Sequence, residues 1–243
     1  MRIKSIIKAL GLKIIYGYSN SEEFANKLRN KGVTIGEGTT FYNANSIKID
    51  TTRPYGVTIG RNVHITANVS ILTHGFDWCV IKGLYDDVVG SFGEVTIGDN
   101  CFIGQGAMIL KGVKIPDNTI IGARSLVSKS LPQGGVYAGS PARYICSIED
   151  YYEKRKRVQL SEAKAQFTCY YKKYGKIPPK AELNEFFFLF EDRNLELEEK
   201  FKYQMNNNQK YEECLALYMS GHRQEFKCYE DFVEFCMKDI EKE

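Results

Sequence analysis

Aliphatic residues recur every six positions through the middle of the chain. They stand at Ile59, Ile65 and Ile71, and after a break resume at Ile97, Ile103, Ile109, Ile115, Ile121 and Val127. A second row runs two residues earlier, at Val57, Val63, Val69, Val95, Cys101, Ala107, Val113, Thr119 and Ser125, and glycine follows the first row at Gly60, Gly98, Gly104 and Gly122. A weaker copy of the pattern holds Val33, Ile35, Gly36, Phe41 and Ile47. Two apolar positions separated by one residue mark a short strand with one buried face, whereas an amphipathic helix repeats every three to four. Three such strands joined by turns close one coil, and stacked coils pair their backbones in parallel around a column of Ile and Val. Glycine suits the corners, where a side chain obstructs the backbone.

The repeat breaks between Ile71 and Ile97, a step of 26 residues that is not a multiple of six. The segment 73–93 is therefore expected to leave the solenoid as a loop, and it carries His74, Asp77, Trp78, Asp86 and Asp87. Long loops leaving a regular scaffold commonly carry function.

The flanks read differently. Residues 1–31 are expected to form an N-terminal helical segment, since Ile3, Ile7, Leu10 and Ile14 recur at helical spacing. Lys8 and Lys13 interrupt that run, which argues against a signal peptide and against a membrane span. Two readings of residues 1–16 stand: a helix packed on its own protein, or one lying on an anionic membrane surface. Residues 147–243 are expected to be α-helical. A long helix follows Ile145, Gly175 and Pro178–Pro179 end it, the run Phe186–Phe190 is too apolar to be exposed, and further helices fit 196–219 and 225–242. The β-solenoid thus spans 32–146, and the tail is expected to cover its last coil, to shape the groove or the assembly, or to bind another enzyme.

Charge and cysteine content narrow the function classes. The chain has a net charge of +3, too little to argue for nucleic acid. Residues 1–146 hold 16 Lys+Arg against 10 Asp+Glu, and 147–243 hold 17 against 20, so an anionic ligand or a solvated basic face belongs to the first part. Seven cysteines without a C-x-x-C pair read as reduced, mostly buried thiols of a cytoplasmic protein.

The motifs VTIGRNVHITANVSILTHG (57–75), VTIGDNCFIGQGAMILKGVKIPDNTIIGARSLVSKSLP (95–132) and YAGSPARYI (137–145) resemble the hexapeptide-repeat acetyltransferases, and with the THGFDW loop and helical tail the chain is most similar to their sugar O-acetyltransferases of surface-polysaccharide biosynthesis. The resemblance implies a left-handed parallel β-helix, a homotrimer with each active site between adjacent prisms, and acetyl-CoA as co-substrate with no metal. It makes His74 the catalytic base, and a small-molecule or lipid-linked sugar the acceptor. A neutral imidazole suits proton removal from a hydroxyl at neutral pH. Of the other two histidines, His64 should point outward between inward Val63 and Ile65, and His222 has no motif around it.

Asp77 is the nearest carboxylate in sequence to hold the second ring nitrogen of His74. Trp78 is either a packing residue or a sugar platform. Asn43, Asn45 and Asp50 are either acceptor residues or turn formers. The resemblance puts the pantetheine arm near Gln105, Gly106 and Ala123, and the phosphates near Ser128, Lys129 and Arg143, with Arg124 standing where relatives often have glycine. The rival functions are N-acetylation of an amino-sugar or nucleotide-amino-sugar and a non-catalytic β-helix scaffold. A β-helix carbonic anhydrase needs more coil histidines than this chain has.

Overall fold

The computed structural model describes residues 21–191, 211–221 and 224–240. The N-terminal segment 1–16, His222 and the whole stretch 196–210 lie outside the described residues. Helix α1 (Ser21–Lys31) buries Phe24, Ala25 and Leu28 at the start of the solenoid. Fourteen strands follow among the described residues, in three sheets. The first sheet holds β1 (Thr34–Ile35), β4 (Val57–Ile59), β7 (Val95–Ile97) and β10 (Lys114–Ile115) in that order. The second runs β2 (Thr40–Phe41), β5 (His64–Ile65), β8 (Phe102–Ile103), β11 (Thr119–Ile121), β13 (Gly135–Ala138) and β14 (Arg143–Cys146). The third holds β3 (Lys48–Ile49), β6 (Ser70–Ile71), β9 (Met108–Ile109) and β12 (Leu126–Val127). Every pairing is parallel except β13 with β14.

Register fixes the core. Ile35, Ile59, Ile97 and Ile115 lie side by side in the first sheet, Phe41, Ile65, Ile103, Ile121 and Tyr137 in the second, and Ile49, Ile71, Ile109 and Val127 in the third. From Ile59 to Val127 these side chains are essentially closed to solvent, and each contributes about 1.5–3 kcal/mol by leaving water. One phase assignment needs correction. Ile47 belongs to the second row, and Ile49 is the partner of Ile71, because a 3₁₀ turn (Ala44–Ser46) inserts two residues before β3. Gly104 is needed for close approach: a Cβ there would stand 2.6 Å from the backbone nitrogen of Ala123 in the next coil.

The chain divides into two compact units, Met1–Tyr151 and Tyr152–Glu243, with the boundary inside helix α3 (Ile148–Tyr174). In the second unit, Ala163 and Phe167 of α3 pack with Leu183, Phe186, Phe187, Leu189 and Phe190 of the following 3₁₀ segment. Leu215 of a helix at Tyr211–Gly221 and Phe232 and Cys236 of one at Tyr229–Ile240 complete that core. Gly175, at φ 63°, ends α3. Among the described residues no helix is long and apolar enough to cross a membrane. The thiols are less buried than composition suggests: Cys101 and Cys236 are buried, whereas Cys79 and Cys169 are exposed.

Candidate active site

Two departures from the six-residue step fall at one corner of the solenoid, where the third sheet hands over to the first. Ile49 to Ile59 is ten residues, four more than six, and Ile71 to Ile97 is 26, twenty more. Since β3 and β6 are neighbours, the two excursions stack. Asp50 opens the shorter one, its backbone N–H donating to Ile71 O at 3.0 Å. The longer one is pinched at its neck, where Gly93 N–H donates to Thr73 O at 2.9 Å. This stacking brings Asp50 to His74, 24 residues later.

The Asp50 carboxylate collects the corner's donors. One oxygen accepts from the Thr52 hydroxyl at 2.7 Å and the Thr52 N–H at 2.9 Å. The other accepts from the Thr73 hydroxyl at 2.5 Å, the Thr73 N–H at 3.4 Å, and His74 Nδ1 at 2.5 Å. Burial pushes the Asp50 carboxyl up, but the hydrogen bonds from Thr73, Thr52 and His74 outweigh it and hold it well below the usual carboxylate range. An ionised carboxylate only accepts, so Nδ1 carries the ring proton and Nε2 keeps its lone pair. Nε2 makes no hydrogen bond among the described residues, and the ring retains 18% exposure. A histidine fixed in this tautomer by a buried carboxylate can take a proton from a hydroxyl placed at Nε2.

Asp77 does not serve His74. It precedes helix α2 (Trp78–Tyr85), and its carboxylate folds back over Gly75, where a Cβ would stand 2.5 Å from Oδ1. The chain is already leaving the coil there, so the carboxylate nearest in sequence is not the one nearest in space. Phe76 meets the His74 ring edge-on at 5.3 Å, and Trp78 lies against Phe76 at 6.2 Å, one ring removed from His74. No residue of α2 is buried.

Asn43 and Asn45 are not brought to His74. They turn the opposite corner, between the second and third sheets, where Asn43 takes a left-handed φ of 52°. That corner continues upward through Gln105, Gly106, Ala123 and Arg124, linked by Arg124 N–H to Gln105 O at 2.8 Å. Arg124 adopts φ 55°, the region glycine occupies without strain. Ser128 and Lys129 are exposed after β12, and Ala142 N–H donates to Leu126 O at 2.8 Å, which sets Arg143 at the same end of the prism. None of Arg124, Lys129 and Arg143 forms an ion pair among the described residues. His64 points outward yet is half-buried. Its Nδ1 lies 2.9 Å from the Tyr42 hydroxyl, while Nε2 is closed to solvent without a partner among the described residues. Burial pushes its pKa down.

Comparison with known proteins bears on the repeat that carries this corner. The profile "Bacterial transferase hexapeptide (six repeats)" matches residues 94–129, and "Hexapeptide repeat of succinyl-transferase" matches 32–73. The chain is 35% identical over 129 residues to Protein CapG of Staphylococcus aureus, covering 53% of this chain and 74% of that one. The chain belongs to the hexapeptide-repeat acetyltransferase family. Its solenoid is accordingly the left-handed parallel β-helix. It is 39% identical over 135 residues to galactoside O-acetyltransferase of Escherichia coli (strain K12), covering 54% of this chain but only 64% of that relative's length. Among solved structures, a maltose O-acetyltransferase from Clostridium difficile 630 aligns with TM-score 0.42 and 27% identity over 60% of this chain and 87% of that one.

Proposed function

We propose that this protein is an acetyl-CoA-dependent O-acetyltransferase acting on a sugar hydroxyl, with His74 as general base and Asp50 as its positioning residue. The observation that carries the reading is the Asp50–His74 pair, which leaves Nε2 unprotonated and open at an excursion of the coil. The sugar hydroxyl donates its proton to Nε2 as its oxygen attacks the acetyl carbonyl. His74 then returns that proton to the departing thiolate, so an ester forms, the thioester C–S bond breaks and coenzyme A leaves as the thiol. No side-chain nucleophile is required. The exposed cations Lys129 and Arg143, with Arg124 beside Gln105 and Gly106, suit a phosphate-bearing co-substrate at the far end of the prism. The galactoside O-acetyltransferase relative supports a sugar acceptor. Homotrimeric assembly, a place in surface-polysaccharide synthesis and a cytoplasmic setting complete the reading. Phe102 and Met108, on outer faces of the coils, are about 40% exposed in the single chain and favour assembly.

The test is His74→Ala. Turnover on a confirmed acceptor should fall by about 100-fold or more. Coenzyme A binding by calorimetry and the thermal melt should hold, because His74 lies outside the Ile and Val column. Near-normal turnover would overturn the assignment.

A further inference from the structure

The short excursion carries more than Asp50. Lys31, at the end of α1, donates from Nζ to the Thr51 hydroxyl at 3.1 Å. Next along, the Arg53 guanidinium reaches the Thr52 hydroxyl at 3.5 Å, and that hydroxyl in turn donates to Asp50 at 2.7 Å. Neither cation meets a carboxylate among the described residues. A guanidinium has five donors, and among the described residues Arg53 uses one of them, at the limit of hydrogen-bond length. Two cations stand on adjacent threonines, the second of which, Thr52, is joined through Asp50 to His74, and neither cation has a counter-charge among the described residues.

Aromatic surface borders the same corner. Tyr55 is 74% exposed and lies 6.1 Å from Phe92, which is 47% exposed, with their rings tilted at 43°. Phe92 sits over Gly56, where a Cβ would stand 2.9 Å from its ring and 3.6 Å from the Thr73 methyl. The aromatic pair therefore adjoins the residue that precedes His74. An exposed ring face attracts the C–H face of a pyranose, and a guanidinium pairs through two parallel hydrogen bonds with carboxylate or phosphate.

We infer that Lys31 and Arg53 bind an anionic group on the sugar acceptor, while Tyr55 and Phe92 hold its ring face and Nε2 of His74 meets its hydroxyl. The inference rests on the proposed acyl-acceptor role of this corner. The donor's phosphates do not account for these cations. In the third sheet β12, which precedes Lys129, is three strands from β3, which precedes Arg53, a separation of about 14 Å at the usual strand spacing. Fixed phosphates held at Lys129 are out of reach of Arg53 in the same chain. The shared chemistry is a carboxylate, as in a uronic acid, or a phosphate, as in a phosphorylated sugar.

The experiment uses the full chain with three acceptors built on one galactose ring: a neutral galactoside, the matching galacturonide, in which a carboxylate replaces the C6 hydroxymethyl group, and galactose 1-phosphate. At least one anion should exceed the neutral sugar in kcat/KM by about tenfold or more, and which one identifies the anionic group. Arg53→Gln should lower that ratio by about tenfold, Lys31→Gln should lower it less, and Arg53→Lys should keep part of it. Added salt should reduce the ratio in the unsubstituted protein. A preference for the neutral sugar, or a ratio unmoved by either glutamine substitution, overturns the inference. If no sugar is acetylated, the transferase reading fails by itself. Calorimetric titration of the same three sugars then decides the anion site: binding of a charged sugar that weakens in Arg53→Gln upholds it, and equal binding of charged and neutral sugars refutes it.

Discussion

Replacing Asp50 by asparagine removes one proton acceptor while keeping the shape of the side chain, and the donors around it decide which way the new amide turns. One carboxylate oxygen faces the Thr52 N–H at 2.9 Å and the Thr52 hydroxyl. The other faces the Thr73 hydroxyl, a longer Thr73 N–H at 3.4 Å, and His74. The amide NH2 must take one of these places. Toward Thr52 it confronts a backbone N–H that cannot turn away. Toward His74 it confronts a hydroxyl that can rotate, one weak N–H, and an imidazole that can move its proton from Nδ1 to Nε2. The amide therefore faces His74, and Nε2 becomes a donor.

That exchange disables the base without displacing it. Losing a general base costs about 100- to 10,000-fold in rate, so Asp50→Asn should lower kcat by at least about 100-fold. Folding should lose only about 1–3 kcal/mol, the scale of hydrogen bonds to a charged group, because Thr52 keeps its acceptor. The acetyl-CoA KM should stay level, since the substitution lies at the opposite end of the third sheet from Lys129. Steady-state kinetics measure the loss, and nitrogen-15 NMR of the imidazole reads which ring nitrogen carries the proton. Turnover within about threefold of the unsubstituted protein, or an unchanged tautomer accompanying the loss, would refute this reasoning.

Two further outcomes concern the scaffold. Because burial pushes the His64 pKa below its ordinary 6.5, the folded state favours neutral His64. That contribution to stability is present above pH 6.5 and is lost as pH falls toward the lowered value, where Asp50 still holds its charge; melts from pH 7.5 to 5 should decline, and the decline should flatten in His64→Gln. Gly104→Ala should destabilise by about 1–3 kcal/mol, because its Cβ would meet backbone atoms of the next coil at 2.6–2.7 Å, whereas Gly83→Ala, inside helix α2 with open space around it, should not lower the urea midpoint; equal midpoints for the two would refute the packing argument.

The column of Ile and Val is legible from Ile59 onward because burial on one strand face imposes alternation, and a fixed step between coils imposes period six. His74 is legible because the excursion that carries it breaks that period. Asp77, its nearest carboxylate in sequence, misleads because the chain leaves the coil at Gly75, and distance along a departing chain says little about distance across stacked coils. The thiols mislead because cysteine's usual burial does not hold on α2 or on the solvated side of α3, where Cys79 and Cys169 lie.

Asp50 is legible as a candidate acceptor residue, but its pairing with His74 is hidden by arithmetic. Phe41 to Ile49 is eight residues, two over the repeat, and Ile49 to Ile59 is ten, four over. The two excesses sum to six, so a strict count from Phe41 through Ile47 to Ile59 meets no break, assigns Ile47 to the wrong row and sees no loop at all. Physically these are two insertions at two different corners. The first is a 3₁₀ turn that carries Asn43 and Asn45 away from the base, and the second is the excursion that brings Asp50 to it. What separates the cases is chemistry rather than spacing. The segment 50–56, Asp-Thr-Thr-Arg-Pro-Tyr-Gly, has no inward aliphatic residue, so it cannot be a strand of the prism and must lie outside it. Any residue of that segment is then stacked beside the larger excursion of the next coil, because consecutive coils share their corners. A carboxylate at its first position is held by the ladder directly beneath the turn that presents His74, and Arg53 and Tyr55 follow it in the same segment.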